Sequence, residues 1–274
     1  MSIKSFLPRT RWGDHVVHFV KFVKAHHRLP SKRMLINDAL YRLKVSAEIE
    51  DPLRVLVSDK EYVKLYVAAK VGDVYNVPTL AVLRSMQEVR TYAFPEVCCI
   101  KPTHLSGKVL LRHRGEPLDF AEIAHWFSLN RYHATRERNY RTLQPKVIVE
   151  PLLFGGSAVL DYKFFCYRGK ARLIQIDFDR ANGHTRKYFD RNWSEQDYSM
   201  GYPRNKAVFE KPLALEKMTR LADTLSEDFG FIRVDLYAEG DTVLVGEITN
   251  CHGNAHKRFI PVSAEAIASR LLFD

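Results

Sequence analysis

Two acidic residues near the end of the chain have the types and spacing for metal chemistry. Side chains alternate along a strand, so Arg233 and Asp235 share one face, and a turn at Gly240 can bring Asp235 opposite Glu247. Each carboxylate lies among Ile, Val and Leu, where an unpaired charge is costly, so the pair needs a proton, an arginine or a cation. One or two carboxylates suit Mg²⁺, which takes its remaining ligands from water and phosphates. An ion-pair network around Arg233 is the alternative interpretation.

A second segment offers groups that suit a phosphate. Lys101 closes an apolar strand and is followed by a turn that contains Ser106 and Gly107. A fixed cation beside free backbone N–H groups is typical of an anion-binding loop. The spacing is not that of a Walker loop, and a solvated strand end explains the same residues without a ligand.

A third segment resembles the hinge that binds a purine edge through its backbone. Glu150 follows the apolar residues 147–149 and precedes a short connector that begins with Pro151. A capped strand end is the alternative interpretation. On the strand that follows, Asp161 and Lys163 alternate with apolar residues, so one face presents a carboxylate and an ammonium.

The bulk composition bounds the class of protein. The 274 residues, 46% hydrophobic and 27% charged, are typical of a globular chain with one large domain or two small ones. No apolar run approaches the ~20 residues of a membrane span. The apolar run at 16–23 contains His18 and Lys21, unlike a signal peptide. The four cysteines fit neither a disulfide framework nor a zinc site, so we expect reduced, buried thiols in a cytoplasmic protein.

The net charge of +10 indicates an anionic partner. Nucleic acid, a phosphorylated nucleotide, an acidic glycan and an anionic membrane all qualify, but basic residues occur along the whole chain, which does not favour a dedicated nucleic-acid-binding protein. In the basic segment 1–33, Val16, Phe19, Val20 and Val23 recur at helical spacing. We expect this helix to dock on the body of the protein through that face. Contact with the inner face of an anionic membrane is the alternative.

The elements that position these residues mix helices with hairpins. A helix is predicted from Ser58, as N-cap of a capping box with Glu61, to Gly72. Residues 180–212 are predicted to be irregular. Hairpins without steady βαβ repeats predict the α+β class with mainly antiparallel sheets. Further helices are predicted at 14–27, 34–50, 119–131, 213–228 and 263–272, and strands at 97–100, 108–112, 147–149, 159–167, 172–179, 231–238 and 242–249.

Taken in chain order, six motifs resemble those of ATP-grasp enzymes, and more specifically of the teichuronopeptide-biosynthesis (TupA-like) family of surface-polysaccharide gene sets. They are Asp59-Lys60, Lys101-Pro102, Glu150, Asp161-Tyr162-Lys163, Arg233-x-Asp235 and Gly246-Glu247-Ile248-Thr249. The resemblance covers residues 35–262, and Arg180 and His184 also fit it. Each motif alone is only weakly specific, but the occurrence of all six in the family's order is a specific signal.

The resemblance implies a fold and a set of roles. Two α+β subdomains with antiparallel sheets would hold ATP between them: a small one with a phosphate flap at 96–150 and a large one with the Mg–ATP site at 151–274, preceded by a mostly helical segment at 1–95. Mg²⁺ would be held by Asp235 and Glu247, with Thr249 or Asn250 completing the shell. Catalytic roles would fall to Arg233, Lys163, Arg180 and His184. The nucleotide would be bound by Lys60, Lys64, Lys101, Ser106, Gly107, Glu150, Pro151, Leu152, Leu153 and Asp161.

The implied function is an ATP-dependent carboxylate–amine ligase of surface polysaccharide or capsule biosynthesis. It would join an amino acid or amine to a uronic-acid-type sugar or glycan through an acyl-phosphate. A kinase that phosphorylates a sugar or small-molecule hydroxyl would use the same site. A non-catalytic nucleic-acid or membrane-binding protein would make no use of Asp235 and Glu247.

The sequence departs from the family pattern in two places. The position two residues after Glu247, often asparagine in ATP-grasp enzymes, is Thr249, and Asn250 stands one position further on. The segment before Lys101 is shorter than the usual N-terminal domain of an ATP-grasp enzyme.

Overall fold

The computed structural model describes residues 6–156, 160–179 and 183–274. Its helices are α1 (Arg11–His26), α2 (Ile36–Val45), α3 (Pro52–Leu56), α4 (Val63–Val71), α5 (Met86–Thr91), α6 (Phe120–Ser128), α7 (Arg131–Thr135), α8 (Leu215–Ser226) and α9 (Ala264–Phe273). Its strands are β1 (Ala81–Leu83), β2 (Cys98–Pro102), β3 (Leu110–Arg112), β4 (Val147–Glu150), β5 (Asp161–Tyr167), β6 (Lys170–Phe178), β7 (Thr185–Asp190), β8 (Ser199–Met200), β9 (Phe231–Glu239), β10 (Thr242–Thr249) and β11 (Phe259–Ile260).

The strands form two antiparallel sheets and a short ribbon. The small sheet has the order β1-β4-β2-β3, and the large sheet has the order β10-β9-β5-β6-β7. Every neighbouring pair in both sheets is antiparallel, and β8 pairs with β11. The α+β class with antiparallel sheets is therefore confirmed. Strand β1 lies before residue 96, so the small sheet draws on the segment predicted to be helical; the division into domains stays a prediction.

Helices cover both faces of the large sheet, but unequally. On one face, α4 and α8 pack through Val67 and Met218 against Phe164 and Val234, which are all fully buried. On the other face, α1, α2 and α9 pack against one end only, around Phe165 and its buried apolar neighbours. The small sheet buries its own core around Trp126 of α6. The rest of the second face of the large sheet is left for polar side chains.

Helix α1 docks on the body as predicted, but through a different face. Its buried residues include Asp14, Val17, His18 and Phe22, whereas Phe19 is 38% exposed. The polar contacts decide the orientation: Asp14 forms an ion pair of 2.7 Å with Arg136, and the His18 ring contacts the Arg136 carbonyl at 3.0 Å. The predicted docking face was wrong because a buried ion pair cannot be read from apolar spacing.

Two other local predictions were wrong. Ser58 does not cap α4, because its hydroxyl donates to the Arg54 carbonyl while the Asp59 carboxylate accepts from the Glu61 N–H. Residues 180–212 are not wholly irregular, since β7 pairs with β6 along its length. Strand β7 lies at the edge of the large sheet, and its buried Lys187 forms an ion pair of 2.6 Å with Glu195. For these reasons its sequence does not show the alternation of apolar residues.

We expect Asp14→Ala to lower the free energy of unfolding by about 3–5 kcal/mol, because it leaves the buried Arg136 charge without its partner. Denaturant unfolding of the purified protein measures this. As the control, Glu216→Ala removes an exposed helical pair with Arg220 and should cost less than about 1 kcal/mol. Equal losses for the two variants would contradict the docking of α1 through Asp14.

Candidate active site

One row of side chains crosses the whole large sheet on its polar face. Strand register places these residues opposite one another in turn, and neighbours in a row approach closely enough to interact. From β10 to β7 the row reads Glu247, Asp235, Lys163, Gln175 and Tyr188.

A bulge in β10 creates the first pair of this row. Val245 pairs with Leu236, and the register then shifts so that Glu247 rather than Gly246 faces Asp235. A Cβ atom on Gly246 would lie 2.8 Å from the ring of Tyr237, so only glycine fits beside that ring. The bulge therefore confirms the predicted opposition of the two carboxylates, by a device that the turn at Gly240 alone does not supply.

Arg233 joins the two carboxylates. Its Nε and Nη2 atoms each lie 2.6 Å from an oxygen of Asp235, and Nη2 lies 3.5 Å from Glu247. Nη2 also donates to the Thr249 hydroxyl at 3.2 Å, which in turn donates to Glu247 at 3.0 Å. The bidentate geometry fixes the guanidinium plane between the two strands.

The two carboxylates differ in environment. Burial raises the pKa of Asp235, whose side chain is 4% exposed, although Arg233 and Lys163 oppose the shift. Partial loss of hydration would also raise the pKa of Glu247, but Lys60, Arg233 and Lys163 outweigh it and lower this pKa to about 2. Glu247 therefore presents a full negative charge to solvent.

The donor set fits part of a magnesium site. Asp235, Glu247 and Thr249 present hard oxygen atoms on adjacent strands, as Mg²⁺ prefers. Within residues 6–156, 160–179 and 183–274, no group of three or more His, Cys, Asp or Glu could hold a metal alone. Water and a nucleotide phosphate would therefore have to complete the shell.

Asn250 does not join these donors. Its side chain donates to the Arg54 carbonyl at 3.0 Å and to Ser58 at 3.1 Å, and accepts from the Arg54 guanidinium at 2.9 Å. Side chains alternate along the strand, so the residue after Thr249 points to the other side. Of the two residues predicted as third ligand, only Thr249 lies with the acidic pair.

Lys163 and Asp177 extend the charged group along the sheet. The Lys163 ammonium pairs with Asp161 and lies 3.4 Å from Asp235 and 3.9 Å from Asp177. The His184 ring lies 3.0 Å from Asp177. Arg180, which was predicted to act beside His184, lies outside the described residues.

Arg186 was missed by the sequence analysis. Its Nε donates to Asp177 at 2.5 Å, and the two residues are register partners on β7 and β6. The Asp177 side chain is buried, so it needed a cation, but the sequence gives no sign of which strand supplies it.

A cleft of about 780 Å³ borders this polar row and lies between the two sheets, a volume typical of ligand sites. Nine of the predicted residues line it: Lys60, Lys101, Gly107, Glu150, Pro151, Leu152, Leu153, Asp161 and Glu247. The other lining residues were not predicted: Cys99, Lys108, Val109, Leu111, His113, Tyr237 and Gly246. Residues from both sheets thus face one volume.

Glu150 is held by two lysines at the inner wall of the cleft. One oxygen accepts from Lys64 at 2.6 Å and the other from Lys101 at 2.8 Å. Burial would raise the pKa of Glu150, but the two ammonium groups outweigh it and lower the pKa. Lys64 also donates to the Val77 carbonyl and to Thr79, so it fixes Glu150 without lining the cleft.

The turn at 102–107, which contains Ser106 and Gly107 and is the predicted phosphate flap, is hydrogen-bonded to Lys60. The Lys60 ammonium donates to the Leu105 carbonyl, and its N–H donates to the Thr103 carbonyl at 3.2 Å. Burial lowers the pKa of this lysine. Gly107 of the flap lines the cleft, whereas the neighbouring Ser106 is exposed and does not.

Two antiparallel sheets that face each other across such a cleft define an ATP-grasp fold. The chain belongs to the TupA-like ATP-grasp family, whose sequence model matches residues 39–269. No curated protein matches the sequence. Among the described residues, no helix is long and apolar enough to cross a membrane.

The chain is also similar to solved structures of ligases. D-alanine–D-alanine ligase from Helicobacter pylori is 18% identical, with 81% of this chain and 58% of that chain covered and a TM-score of 0.42. The Bacillus anthracis D-alanine–D-alanine ligase complexed with ATP is 15% identical, with 79% of this chain and 62% of that chain covered and a TM-score of 0.44. Phosphoribosylamine–glycine ligase from Thermotoga maritima is 15% identical, with 74% and 48% covered and a TM-score of 0.43. The chain spans less than two thirds of each.

The lowered pKa of Glu150 predicts a pH-dependent contribution to stability. Such a carboxylate stabilises the fold above its ordinary pKa of about 4.3 and loses this contribution as the pH falls. We expect Glu150→Gln to lower the free energy of unfolding by about 3 kcal/mol at pH 7. The difference in the free energy of unfolding between Glu150→Gln and the wild type should narrow below about pH 4.3. Denaturant unfolding at a series of pH values measures this difference. A gap that does not change with pH would contradict the ion pairs with Lys64 and Lys101.

Proposed function

We propose that this protein is an ATP-dependent carboxylate–amine ligase of surface polysaccharide or capsule biosynthesis. It joins an amine or amino acid to a uronic-acid-type sugar or glycan. The observation that carries the proposal is the position of Glu247, which lines the cleft while sharing Arg233 with Asp235. A carboxylate pair bridged by a cation at the edge of a nucleotide-sized cleft suits phosphoryl transfer, which depends on charge neutralisation and positioning.

The nucleotide occupies the cleft between the sheets in this proposal. The backbone of residues 151–153 meets the adenine, Asp161 the ribose, and Lys101 and Lys60 the phosphates. Gly107 belongs to the flap at 102–107, whose Thr103 and Leu105 carbonyls accept hydrogen bonds from Lys60. A movement of this flap would therefore carry Lys60, one of the phosphate-binding residues, with it. Asp235, Glu247 and Thr249 would hold Mg²⁺, which would supply charge neutralisation at the phosphate oxygens.

The reaction then proceeds in two steps. A carboxylate oxygen of the acceptor attacks the γ-phosphorus, the bond from that phosphorus to the bridging oxygen breaks, and ADP leaves. Arg233 stabilises the charge that develops on the transferred group. The amine attacks the acyl carbon, the C–N bond forms, phosphate leaves, and the amine loses a proton. The products are an amide, ADP and phosphate.

A cytoplasmic location is part of the proposal. All four cysteines are free and buried, which suits a reducing compartment and supports the expectation from their spacing. ATP is also the substrate that such a compartment supplies.

We expect Glu247→Gln to reduce the rate of ATP-dependent product formation by about 100-fold or more, because it removes a charged group that acts on the phosphates. Phosphate release is measured with ATP, Mg²⁺ and pairs of uronic acids and amines, and the product is identified by mass. Glu239→Gln, at the exposed end of the same hairpin, is the control and should keep the wild-type rate.

Three results would be informative against the proposal. Phosphate release that needs neither acceptor contradicts a ligase. A phosphorylated product in place of a dehydrated conjugate identifies the kinase instead. Equal activity of the two glutamate variants contradicts the site itself.

A further inference from the structure

Beyond the cleft, Lys257 is held in place, and none of the residues that the structure describes is its carboxylate partner. The aliphatic chain of Lys257, eight residues after β10, passes between Gly201 and Gly253. A Cβ atom on Gly201 would lie 2.7 Å from its Cδ, and one on Gly253 would lie 2.6 Å from its Cγ. The ammonium lies 4.8 Å from the ring centroid of Tyr202. The two glycines thus leave the space that directs this lysine onto the tyrosine.

Two other side chains also contact this ring. The Arg186 guanidinium lies 4.6 Å from the Tyr202 centroid, and the His184 ring stacks on it at 3.8 Å. Arg186 is anchored through Nε to Asp177 and through Nη1 to the Met200 carbonyl. Its Nη2 makes no hydrogen bond to any residue that the structure describes, and Lys257 forms no ion pair with those residues. Arg186 therefore keeps one donor beyond its ion pair with Asp177, and Lys257 has no acidic partner among the described residues, so both can attract an anion.

This group adjoins the polar row. Asp177, which anchors Arg186, lies 3.9 Å from the Lys163 ammonium, and Lys163 contacts Asp235. On its other side, Lys257 lines a depression of about 510 Å³ together with His256 and Arg258. Arg186 is thus linked to the polar row through Asp177, and Lys257 lines an open depression large enough for a sugar.

We propose that Lys257 and Arg186, supported by the Tyr202 ring, bind an anionic group of the acceptor, a carboxylate or a phosphate. The inference rests on the proposed function, since it places the acceptor beside Asp235 and Glu247. The anion bound here is distinct from the carboxylate that is activated, so the acceptor bears at least two such groups or is an acidic oligomer.

The test compares Lys257→Met with Lys217→Met in the full chain. Lys217 also lies over a tyrosine ring, Tyr75, but on another surface, so it is a matched control. Calorimetry measures binding of a digalacturonate, of glucose 6-phosphate and of neutral glucose, and separately of ADP. We expect one of the two anionic probes to bind at least about 10-fold more tightly than glucose, and Lys257→Met to remove that advantage. ADP affinity should stay within about twofold in both variants.

The two anionic probes distinguish a carboxylate from a phosphate. Equal affinity of the wild type for glucose and for both anionic probes contradicts the subsite without any variant. An advantage that survives in Lys257→Met contradicts it as well. Loss of ADP binding by the wild type would overturn the nucleotide site instead, so the two failures are distinguishable.

A second surface is carried by independent observations. The side of α1 opposite its docked face presents Trp12, which is 65% exposed, and Phe19, which is 38% exposed. Val16, Val20 and Val23 lie along the same side and are half-buried. These are spaced as one helical stripe, so α1 has two apolar sides. Trp12 and Phe19 leave apolar surface exposed on its outer side.

The segment that contains this stripe is basic in sequence, although Arg11 pairs with Glu50 and Arg28 with Asp38. Residues 1–33 contain eight Lys or Arg and one acidic residue, Asp14, which gives +7 of the total net charge of +10. Asp14 is buried in its ion pair with Arg136, so it adds no negative charge to the outer surface. Leu29, within this segment, and Met34, directly after it, are 66% and 46% exposed.

We infer that α1 binds an anionic membrane surface through its outer stripe. Aromatic and aliphatic side chains that line a basic helix enter the headgroup region, where apolar burial and charge attraction add. A nucleic-acid backbone would use the charge but leave the stripe exposed to water. The contact is peripheral, and it would bring the ligase to a lipid-attached acceptor.

Vesicle co-sedimentation tests this surface. We expect the full chain to bind vesicles with phosphatidylglycerol at least about 10-fold better than vesicles of phosphatidylcholine alone. The double variant Trp12→Ser, Phe19→Ser should lose at least about 10-fold of that binding. The control Val208→Ser, Leu213→Ser changes side chains that are 93% and 85% exposed elsewhere and should bind as the wild type does. Equal binding by both double variants, or binding to RNA alone, contradicts the inference.

Discussion

The site depends on a guanidinium that links two carboxylates on neighbouring strands, with Lys163 and Lys60 supplying further positive charge. Arg233 forms a bidentate pair with Asp235 and reaches Glu247 and Thr249 with the same nitrogen. Without it, two negative charges would face each other on a partly buried sheet face, which is costly. The bulge at Gly246 brings them opposite one another, so a local backbone irregularity sets the electrostatics of the whole site.

The fold serves this site by dividing one face of the large sheet. Helices α1, α2 and α9 cover one end of that face, and the remainder carries the polar row and borders the cleft. The small sheet contributes Lys101 and, with Lys64, holds Glu150 rigidly at the inner wall. Rigid strands on both sides suit a reaction that depends on positioning more than on covalent help from protein groups.

The hairpin of β9 and β10 and most cleft residues were predictable, because alternation and chain order are local properties of the sequence. The bulge that sets the register of Glu247 was not predictable, because it depends on the contact between Gly246 and the Tyr237 ring, whereas alternation alone puts Thr249 rather than Asn250 on the face of Glu247. Arg186 and Lys257 were missed for a different reason. Arg186 is ordered by Asp177 on the neighbouring strand and Lys257 by Gly201, 56 residues earlier, and such register and packing leave no periodic pattern.

The most direct test of the account is a crystal of the protein with Mn²⁺ in place of Mg²⁺ and a non-hydrolysable ATP analogue. We expect an anomalous peak about 2.1 Å from oxygens of both Asp235 and Glu247, with the triphosphate in the cleft lined by Lys101. A nucleotide bound elsewhere, or a metal coordinated by neither carboxylate, would contradict it.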